Sequence, residues 1–422
     1  MKGTIVLSHQ ETHRAKVLER VAAGVLTLRQ ASVLLGISYR QVKRLKKRYA
    51  TGGAAALAHR NRGRPAAHAL SEGAARQVVA LHEQTYSNFN DTHFTEMLEE
   101  RENITLSRET VRRILRAAGK PSKRRRRPPK HRSRRERRSA VGTMMQWDGS
   151  PHRWFGSEHP PCCLMSAIDD ADSRLLGAVF VPAESSVGYL HLLDIVLRRH
   201  GKPLSVYQDR HTILKRVDDH WSLEEEIAGV RFPTHVGRVL KDLDIRPITA
   251  YSPQAKGRVE RGFGILQDRL IAELELHGIT DIDHANRWLD EVFIDRYNKR
   301  FAKTPARSNS AFQKVSSKER YLRIAFAYEA TVANDNCVRL GGLIIDIPPG
   351  KGRRSYAKAK ILVRQHLDGA WTVWYHDAKI AAHPSTKLAE PIRSWKPRTK
   401  GDPKGARRIV QIYLASRPAP LP

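Results

Sequence analysis

The 422-residue sequence contains only three cysteines, Cys162, Cys163 and Cys337. A small fold held together by disulfides needs a higher density of cysteine, and a structural zinc site needs ligand spacings that the adjacent pair lacks. Neither kind of fold is therefore expected. We predict instead that Cys162 and Cys163 are buried free thiols of a strand, in a protein of the reducing cytoplasm.

The sequence also lacks any apolar run long enough to span a bilayer, and residues 1–11 lack the apolar core of a signal peptide. Acidic residues are scarce relative to basic ones: 43 Asp and Glu stand against 75 Lys and Arg, which gives a formal net charge of +32. This excess predicts a polyanionic partner rather than any particular fold. A chain of this length is expected to form two to four domains.

Residues 12–49 have the pattern of a helix-turn-helix. Two helical stretches are followed by a turn at 36–38 that ends in a candidate N-capping serine. The next helix, residues 39–49, is then the candidate recognition helix, with Val42 and Leu45 facing the core. The side chains predicted to contact DNA are Arg40, Gln41, Lys43, Arg44 and Lys47. The alternative is an ordinary helical hairpin with a basic outer face.

Three further segments before residue 140 are candidates for DNA contact. The connector 61–65 contains Arg64, which could lie in an A·T-rich minor groove, with a plain solvated linker as the alternative. Residues 71–118 have the pattern of a second helix-turn-helix module with a basic last helix. Residues 120–138 carry almost only positive charge, so we expect phosphate contacts from a segment that is disordered alone. The predicted contacts of this linker are Arg124, Arg125, Arg126 and Arg127.

Three acidic residues stand where a phosphoryl-transfer site would need them. One predicted strand ends at Asp148, a second, buried strand ends at Asp209, and Glu260 belongs to a later helical segment with an apolar stripe. Three converging carboxylates can hold two Mg²⁺ ions, because this hard cation prefers oxygen ligands. Two such ions activate a nucleophile and stabilise the leaving oxygen.

The residues around Glu260 are polar and basic. Gln254, Lys256 and Arg258 are predicted to contact DNA. For Gln254 and Lys256, a plain surface position is the alternative.

The order Asp148, Asp209, Glu260 resembles that of the DDE transposases and retroviral integrases. The flanking residues are closer still to the ISNCY group of bacterial insertion-sequence transposases. The segments that carry this resemblance are Gln146-Trp147-Asp148-Gly149-Ser150, Ile168-Asp169-Asp170-Ala171, Asp209-Arg210-His211 and Ser252 to Arg261. One departure is the sequence 209–211, where many members of the wider superfamily have Asp-Asn-Gly, and this leaves the role of His211 open.

The resemblance implies a multidomain α/β chain. We expect N-terminal helix-turn-helix modules and a central ribonuclease-H-like integrase core, with a mixed five-stranded sheet covered by helices. A C-terminal small β-barrel is also expected, in which Asp368-Gly369 forms a two-residue hairpin turn. Residues 212–232 exceed a minimal core and could be a lid, a protein contact or a disordered insert.

The expected boundaries follow the same scheme. They are 1–62 for the helix-turn-helix domain, 63–119 for the second helical DNA-binding domain, 120–140 for the basic linker, 141–305 for the catalytic core, 306–330 for a connecting helix, 331–395 for the small β-barrel and 396–422 for a basic tail.

The implied function is that of a transposase, which binds insertion-sequence ends and catalyses metal-dependent strand cleavage and transfer. Asp148, Asp209 and Glu260 would be both catalytic residues and metal ligands, for two Mg²⁺ ions per active site with Mn²⁺ as a substitute. The expected partners are double-stranded DNA and further copies of the chain, and no membrane association is expected. The expected location is the bacterial cytoplasm, in association with the nucleoid. The alternatives are a catalytically silent DNA-binding regulator on a transposase scaffold and a nucleic-acid packaging protein.

Overall fold

A computed structural model describes most of the chain. The described residues are 7–59, 70–123, 128, 135–209, 211, 213–214, 233–250, 257–340, 343–350, 352–384 and 412–413. The chain divides into two compact units, Met1–Gln77 and Val78–Pro422. None of the described helices combines the length and the apolar character that crossing a membrane requires.

The first unit is built on three helices, α1 (His9–Ala22), α2 (Leu28–Leu35) and α3 (Tyr39–Gly52). Each helix begins at a hydroxyl side chain that accepts a hydrogen bond from the backbone N–H three residues further on. These capping residues are Ser8, Thr27 and Ser38, at 3.4, 3.2 and 3.3 Å respectively. The predicted serine cap of the third helix is therefore confirmed.

The turn between α2 and α3 depends on Gly36, which adopts the left-handed conformation at φ 62°. A residue with a Cβ would be strained there, so glycine ends α2 at low cost. The turn directs Val42 and Leu45 of α3 into the core of the unit, where both are buried, as predicted. The helix-turn-helix pattern of the sequence thus corresponds to a helix-turn-helix in the structure.

The second unit contains a five-stranded sheet. Its strands are β1 (Met145–His152), β2 (Cys162–Asp169), β3 (Leu175–Val181), β4 (Ser205–Gln208) and β5 (Arg246–Thr249). They lie in the order β3-β2-β1-β4-β5. The first three strands pair antiparallel, whereas β4 runs parallel to β1 and β5 runs parallel to β4. The mixed five-stranded sheet expected for the core is confirmed.

Helices cover both faces of this sheet. One face packs against α7 (Ser186–Arg199) and α8 (His235–Asp242), and the other against α9 (Gly257–Leu276), α10 (Ile282–Trp288) and α11 (Ile294–Phe301). Every residue of β2 and β3 is buried, so these strands are nearly continuous apolar runs rather than alternating ones.

The second helical block consists of α4 (Glu72–Gln84), α5 (Asp91–Glu100) and α6 (Arg108–Ala117). Its core is formed by Phe94, Val111 and Leu115, and Ala272 of α9 completes it. From residue 78 onward the block therefore belongs to the same compact unit as the sheet.

The C-terminal strands follow α12 (Ser317–Arg323). One sheet contains β6 (Ala325–Thr331), β9 (Lys360–His366), β10 (Trp371–Tyr375) and β11 (Ala378–His383), and the other contains β7 (Cys337–Leu340), β8 (Leu343–Asp346) and β12 (Ile412–Tyr413). The predicted turn at Asp368-Gly369 joins β9 to β10, with Gly369 at φ 82°. The connection is longer than the two residues expected, because the last ladder pair is Gln365 with Trp371 and His366 N–H donates to the carbonyl of Ala370.

The predicted closed barrel is not confirmed. In the described part of the chain each C-terminal strand pairs only within its own sheet, and no hydrogen-bonded ladder joins the two sheets. They are held together instead by a shared apolar core, to which Val338 contributes from one sheet and Val363 and Trp371 from the other.

The three cysteines are free. Cys162 and Cys163 are buried in β2, and burial raises the pKa of their thiols to about 11 and about 12. The predicted buried thiols are therefore confirmed, and both remain protonated and unreactive at neutral pH.

Two histidines of the second unit are kept neutral by the fold. Burial lowers the pKa of His200 and of His235 from 6.5 to about 4, with smaller effects from the nearby Arg199 and Arg238. In the unfolded chain both side chains would bind a proton near pH 6.5. Their contribution to stability is therefore complete above pH 6.5 and is lost as the pH falls from 6.5 towards 4.

We expect the free energy of unfolding, measured by urea titration, to decrease between pH 6.5 and pH 4. The variant His235→Phe should flatten this decrease, because His235 packs edge-on against Phe326 and Tyr328 and an apolar ring can replace it. His13→Gln, on the exposed surface of α1, is the control. An unchanged pH profile in His235→Phe would show that His235 does not contribute.

Candidate active site

The parallel pairing of β1 with β4 brings two of the predicted acids towards each other. Asp148 was expected at the end of a strand, but β1 continues to His152, whereas Asp209 directly follows β4 as predicted. Gln146 of β1 faces Tyr207 of β4 in this register. Continued for two residues beyond this last pair, the register places Asp148 level with Asp209, and neighbouring strands lie about 4.8 Å apart. Both side chains are half-buried. Two of the three predicted acids thus lie near each other, one halfway along β1 and one just after β4, and both act on the hydroxyl group of Tyr189.

Local hydrogen bonds orient these two carboxylates. Oδ1 of Asp148 accepts from the backbone N–H of Gly149 at 3.1 Å, and Oδ1 of Asp209 accepts from the backbone N–H of His211 at 3.0 Å. The His211 ring accepts in turn from the N–H of Ile213 at 3.4 Å. His211 therefore contacts Asp209 through its backbone and Ile213 through its ring.

Glu260 lies in the first turn of α9 and is exposed. The helix runs along β1, because Val259 N–H donates to Gln146 Oε1 at 3.4 Å and Gln267 Nε2 donates to Ser150 Oγ at 3.2 Å. The apolar stripe predicted from the sequence is buried against the sheet and contains Val259, Phe263, Leu266 and Leu270.

The three predicted acids do not form a closed ligand set. Among the residues that the structure describes, no group of three or more Asp, Glu, His or Cys side chains is close enough to hold a metal ion. Carboxylates of like charge repel one another. A close approach of Glu260 to the two aspartates would therefore be disfavoured by repulsion in the absence of a cation.

A buried carboxylate holds the first turn of α9 in place. Asp170 is fully buried, and its Oδ1 accepts from Gln146 Nε2 at 2.7 Å and from Arg258 Nη1 at 2.6 Å. Its Oδ2 accepts from the backbone N–H of Arg138 at 2.8 Å, and the Arg135 guanidinium contacts both oxygens. Asp170 therefore ties together β1, the first turn of α9 and the segment that precedes β1.

Arg258 was predicted to contact DNA, and its side chain is only 15% exposed in the ion pair with Asp170. Its second amino group donates to the carbonyl of Arg135 at 2.7 Å. The geometry gives Arg258 an anchoring contact, and a DNA contact from this residue remains a prediction.

The neighbouring acid Asp169 is also structural. Burial raises its pKa to about 6, against the hydrogen bond from the Gly142 N–H at 2.8 Å. Its Oδ1 accepts from the N–H of Ala171 at 2.8 Å, which closes the turn after β2.

Glu184, an acid that the sequence analysis did not single out, lies beside the aligned aspartates. Its carboxylate packs against Gly149, where an added Cβ would lie 3.0 Å from it, and its Oε1 accepts from the Tyr189 hydroxyl at 2.7 Å. Burial raises the pKa of Tyr189 well above its ordinary value, and Glu184, Asp148 and Asp209 raise it further. The only sequence signal for Glu184 was its place three residues after β3.

The predicted DNA-contact residues of α3 are all exposed; they are Arg40, Gln41, Lys43, Arg44 and Lys47. The helix therefore presents a basic surface opposite its buried residues. The other predicted contacts lie outside the described residues; they are Arg64, Arg124, Arg125, Arg126, Arg127, Gln254 and Lys256.

Two domain families match the N-terminal part of the chain. A helix-turn-helix domain matches residues 13–66, and a homeodomain-like domain matches residues 41–115. These matches cover α1 to α3 and most of the second helical block.

Two transposases are similar to this chain over most of its length. The y4bF protein of Sinorhizobium fredii (strain NBRC 101917 / NGR234), which is named as a transposase, is 39% identical over 307 residues, 73% of this chain. The chain spans 65% of the length of that relative. The transposase for insertion sequence IS1202 of Streptococcus pneumoniae is 32% identical over 397 residues, which are 85% of this chain and 83% of the relative. The chain belongs to the family of insertion-sequence transposases.

Similarity to solved structures is weaker. A simian T-cell lymphotropic virus intasome, in complex with a PP2A regulatory subunit, covers 76% of this chain and all of the compared chain, with a TM-score of 0.31 and 18% identity. The HTLV-2 integrase catalytic core domain in complex with magnesium covers 36% of this chain and 88% of the compared chain, with a TM-score of 0.25 and 18% identity. TM-scores this low support no inference about the present chain.

The contacts of Asp170 generate a testable prediction. Asp170→Ala should leave the guanidinium of Arg258 buried without its partner, at a cost of about 3–5 kcal/mol in the free energy of unfolding. Hydrogen exchange at the Val259 amide should accelerate, because the first turn of α9 loses its anchor.

Asp172→Asn is the matched control for this variant. Asp172 is equally buried and pairs with the more exposed Arg174 at 3.4 Å, away from α9. Unaltered exchange at Val259 in Asp170→Ala would show that Asp170 does not hold the helix.

Proposed function

We propose that the chain binds insertion-sequence ends and catalyses metal-dependent cleavage and transfer of DNA strands. The observation that carries this proposal is the approach of Asp148 and Asp209 to each other where β1 pairs in parallel with β4, with the first turn of α9 packed on the same strand β1. The reaction is phosphoryl transfer without a covalent protein–DNA intermediate, and the nucleophiles are water and then the freed 3′-hydroxyl.

The donor set suits the metal that such a reaction uses. Asp148, Asp209 and Glu260 offer only carboxylate oxygens, which are the ligands that Mg²⁺ prefers. Two bound ions would supply nucleophile activation and charge neutralisation at the scissile phosphate, with Mn²⁺ as a substitute. Asp148 and Asp209 hold the fixed side of the site, since both lie at the sheet, and Glu260 supplies the third ligand from α9.

The DNA-binding part of the proposal assigns sequence recognition to the first unit. The exposed basic residues of α3 contact base edges of the element ends, Arg64 lies in an A·T-rich minor groove, and Arg124 to Arg127 contact phosphates. Gln254 and Lys256 contact the DNA near the reacting end. The partners are the element ends, the target DNA and other copies of the chain, because joining two ends in one event needs at least two active sites.

The alternative function is a DNA-binding regulator without catalysis. It is favoured by one observation, the exposed position of Glu260 outside any closed ligand group in the described part of the chain. The two functions differ in one measurable property, which is cleavage of DNA in the presence of a divalent metal.

The catalytic prediction concerns Asp148→Asn, Asp209→Asn and Glu260→Gln. Each substitution removes an anionic ligand and keeps the side-chain shape, so strand cleavage and joining should fall by about 1,000-fold or more. Binding to element ends should survive, because the recognition helix lies in the other unit. The measurement is cleavage of labelled end DNA with Mg²⁺, alongside binding with Ca²⁺.

The control is Asp283→Asn, which makes the same chemical change at an exposed position of α10 and should keep full activity. Full joining activity in one of the three variants would remove that residue from the catalytic set. A parent chain that binds end DNA but never cleaves it with Mg²⁺ or Mn²⁺ would favour the regulator.

The recognition prediction concerns Arg40→Ala and Arg44→Ala. A bidentate contact between arginine and guanine contributes about 1–3 kcal/mol of discrimination. Both variants should therefore lose more affinity for terminal-repeat DNA than for random DNA, as measured by fluorescence anisotropy. Lys46→Ala, exposed elsewhere on α3, should lose no discrimination. Equal losses on the two DNAs would reassign Arg40 and Arg44 to phosphate contact.

A further inference from the structure

A basic groove runs between the second helical block and α9. Its volume is about 1030 Å³, and α6 forms one wall while the outward face of α9 forms the other. The cationic residues along it are Arg108, Arg112, Arg116, Lys123, Arg261 and Arg269. The sequence did not predict this groove, because the basic linker and the whole sheet lie between its two walls along the chain.

Some of these charges are neutralised within the protein. Arg116 pairs with Asp91 at 2.5 Å, and Arg269 forms two hydrogen bonds with Glu96. The second acid that lines the groove, Asp268, accepts from the Asn90 side chain.

Other charges remain available to a ligand. Within the described part of the chain, no ion pair involves Arg108, Lys123 or Arg261, and Arg112 meets only the exposed Glu109 at 3.4 Å. The side chains of these four cationic residues are exposed. Lys123 Nζ also donates to the backbone carbonyl of Asn88. In the described part of the chain the groove therefore offers positive charges on Arg108, Lys123 and Arg261 that no acidic side chain neutralises.

The two walls are held rigidly with respect to each other. The pair of Arg269 and Glu96 is buried, and its Nη–O distances are 2.5 and 2.8 Å. His93 of α5 contacts Glu273 of α9 at 3.1 Å, and Arg296 contacts the same carboxylate at 3.0 Å. Burial raises the pKa of Glu273, but these two contacts outweigh burial and leave its pKa below the ordinary value. Rigid walls lower the ordering cost of binding.

The α9 wall of the groove begins at the residue next to Glu260. Arg261, Gly264, Ile265 and Asp268 form its α9 wall, and Arg261 directly follows Glu260. On the opposite wall, Arg108 and Arg112 lie one helical turn apart, about 6 Å along the axis. One DNA strand carries a charge about every 3.4 Å, so both arginines can contact phosphates of the same strand.

We propose that this groove binds the phosphate backbone of duplex DNA beside the catalytic end of α9. The proposal rests on the proposed function, since it identifies the surface that positions the DNA next to Glu260. Recognition there is independent of base sequence, because the exposed groups are guanidinium and ammonium groups facing phosphates.

The test is the salt dependence of binding by the full-length chain. Affinity for terminal-repeat and random duplexes is measured by fluorescence anisotropy between 50 and 300 mM salt, with Ca²⁺ so that no cleavage is needed. Each lost phosphate contact lowers the slope of log affinity against log salt by about 0.9. Arg108→Ala/Arg112→Ala should therefore lower the slope by about 1.8, and Arg261→Ala by about 0.9, equally on both duplexes.

The matched control is Arg113→Ala, the same charge change on the same helix at an exposed position outside the groove. In this control, the slope of log affinity against log salt should change less than in either groove variant. Urea unfolding checks that the variants are folded, and Arg108→Lys/Arg112→Lys should restore the parent slope. If both alanine variants keep the slope of the parent chain, the proposal that this groove binds DNA is wrong, and the proposed function is unaffected. A parent chain that binds neither duplex would overturn the proposed function itself.

Discussion

The carboxylate of Asp170 accepts hydrogen bonds from three separate segments at one buried point. Gln146 approaches from β1, Arg258 from the first turn of α9, and Arg135 from the chain before the sheet. A fully buried charge is costly unless it is paired and hydrogen-bonded, so these partners depend on Asp170 as much as it depends on them. The place of Glu260 relative to the aligned aspartates follows from this contact, because Glu260 lies two residues after Arg258.

Helix α9 connects two parts of the second unit. Its apolar stripe packs on the sheet, and the opposite side holds α5 through the buried pair of Arg269 with Glu96. A buried ion pair contributes little net stability, because desolvation offsets most of the attraction, but its directional hydrogen bonds favour one docking geometry. The helix that bears Glu260 thus also sets one wall of the basic groove, so end positioning and chemistry would share a single rigid element.

Much of the fold could be predicted from the sequence, because its signals are local. The serine cap at Ser38, the glycine turn at Gly36 and the hairpin at Asp368-Gly369 each act within a few residues, and the structure contains all three. The buried strands were equally predictable from apolar runs. The closed C-terminal barrel was expected on resemblance alone, and its closure depends on pairing between distant strands, which a local pattern does not specify.

The sequence by itself determined the helix-turn-helix, the mixed sheet, the family and the three acids worth testing, since caps, periodicity and flanking motifs are encoded next to one another. Only the tertiary structure decided which charges meet. Arg269 and Glu96 are 173 positions apart, and Arg258 and Asp170 are 88 apart. In a chain with 75 basic and 43 acidic residues, the number of possible pairs is very large. Which of these pairs form depends on burial and on the geometry that packing imposes, and no short stretch of sequence specifies either.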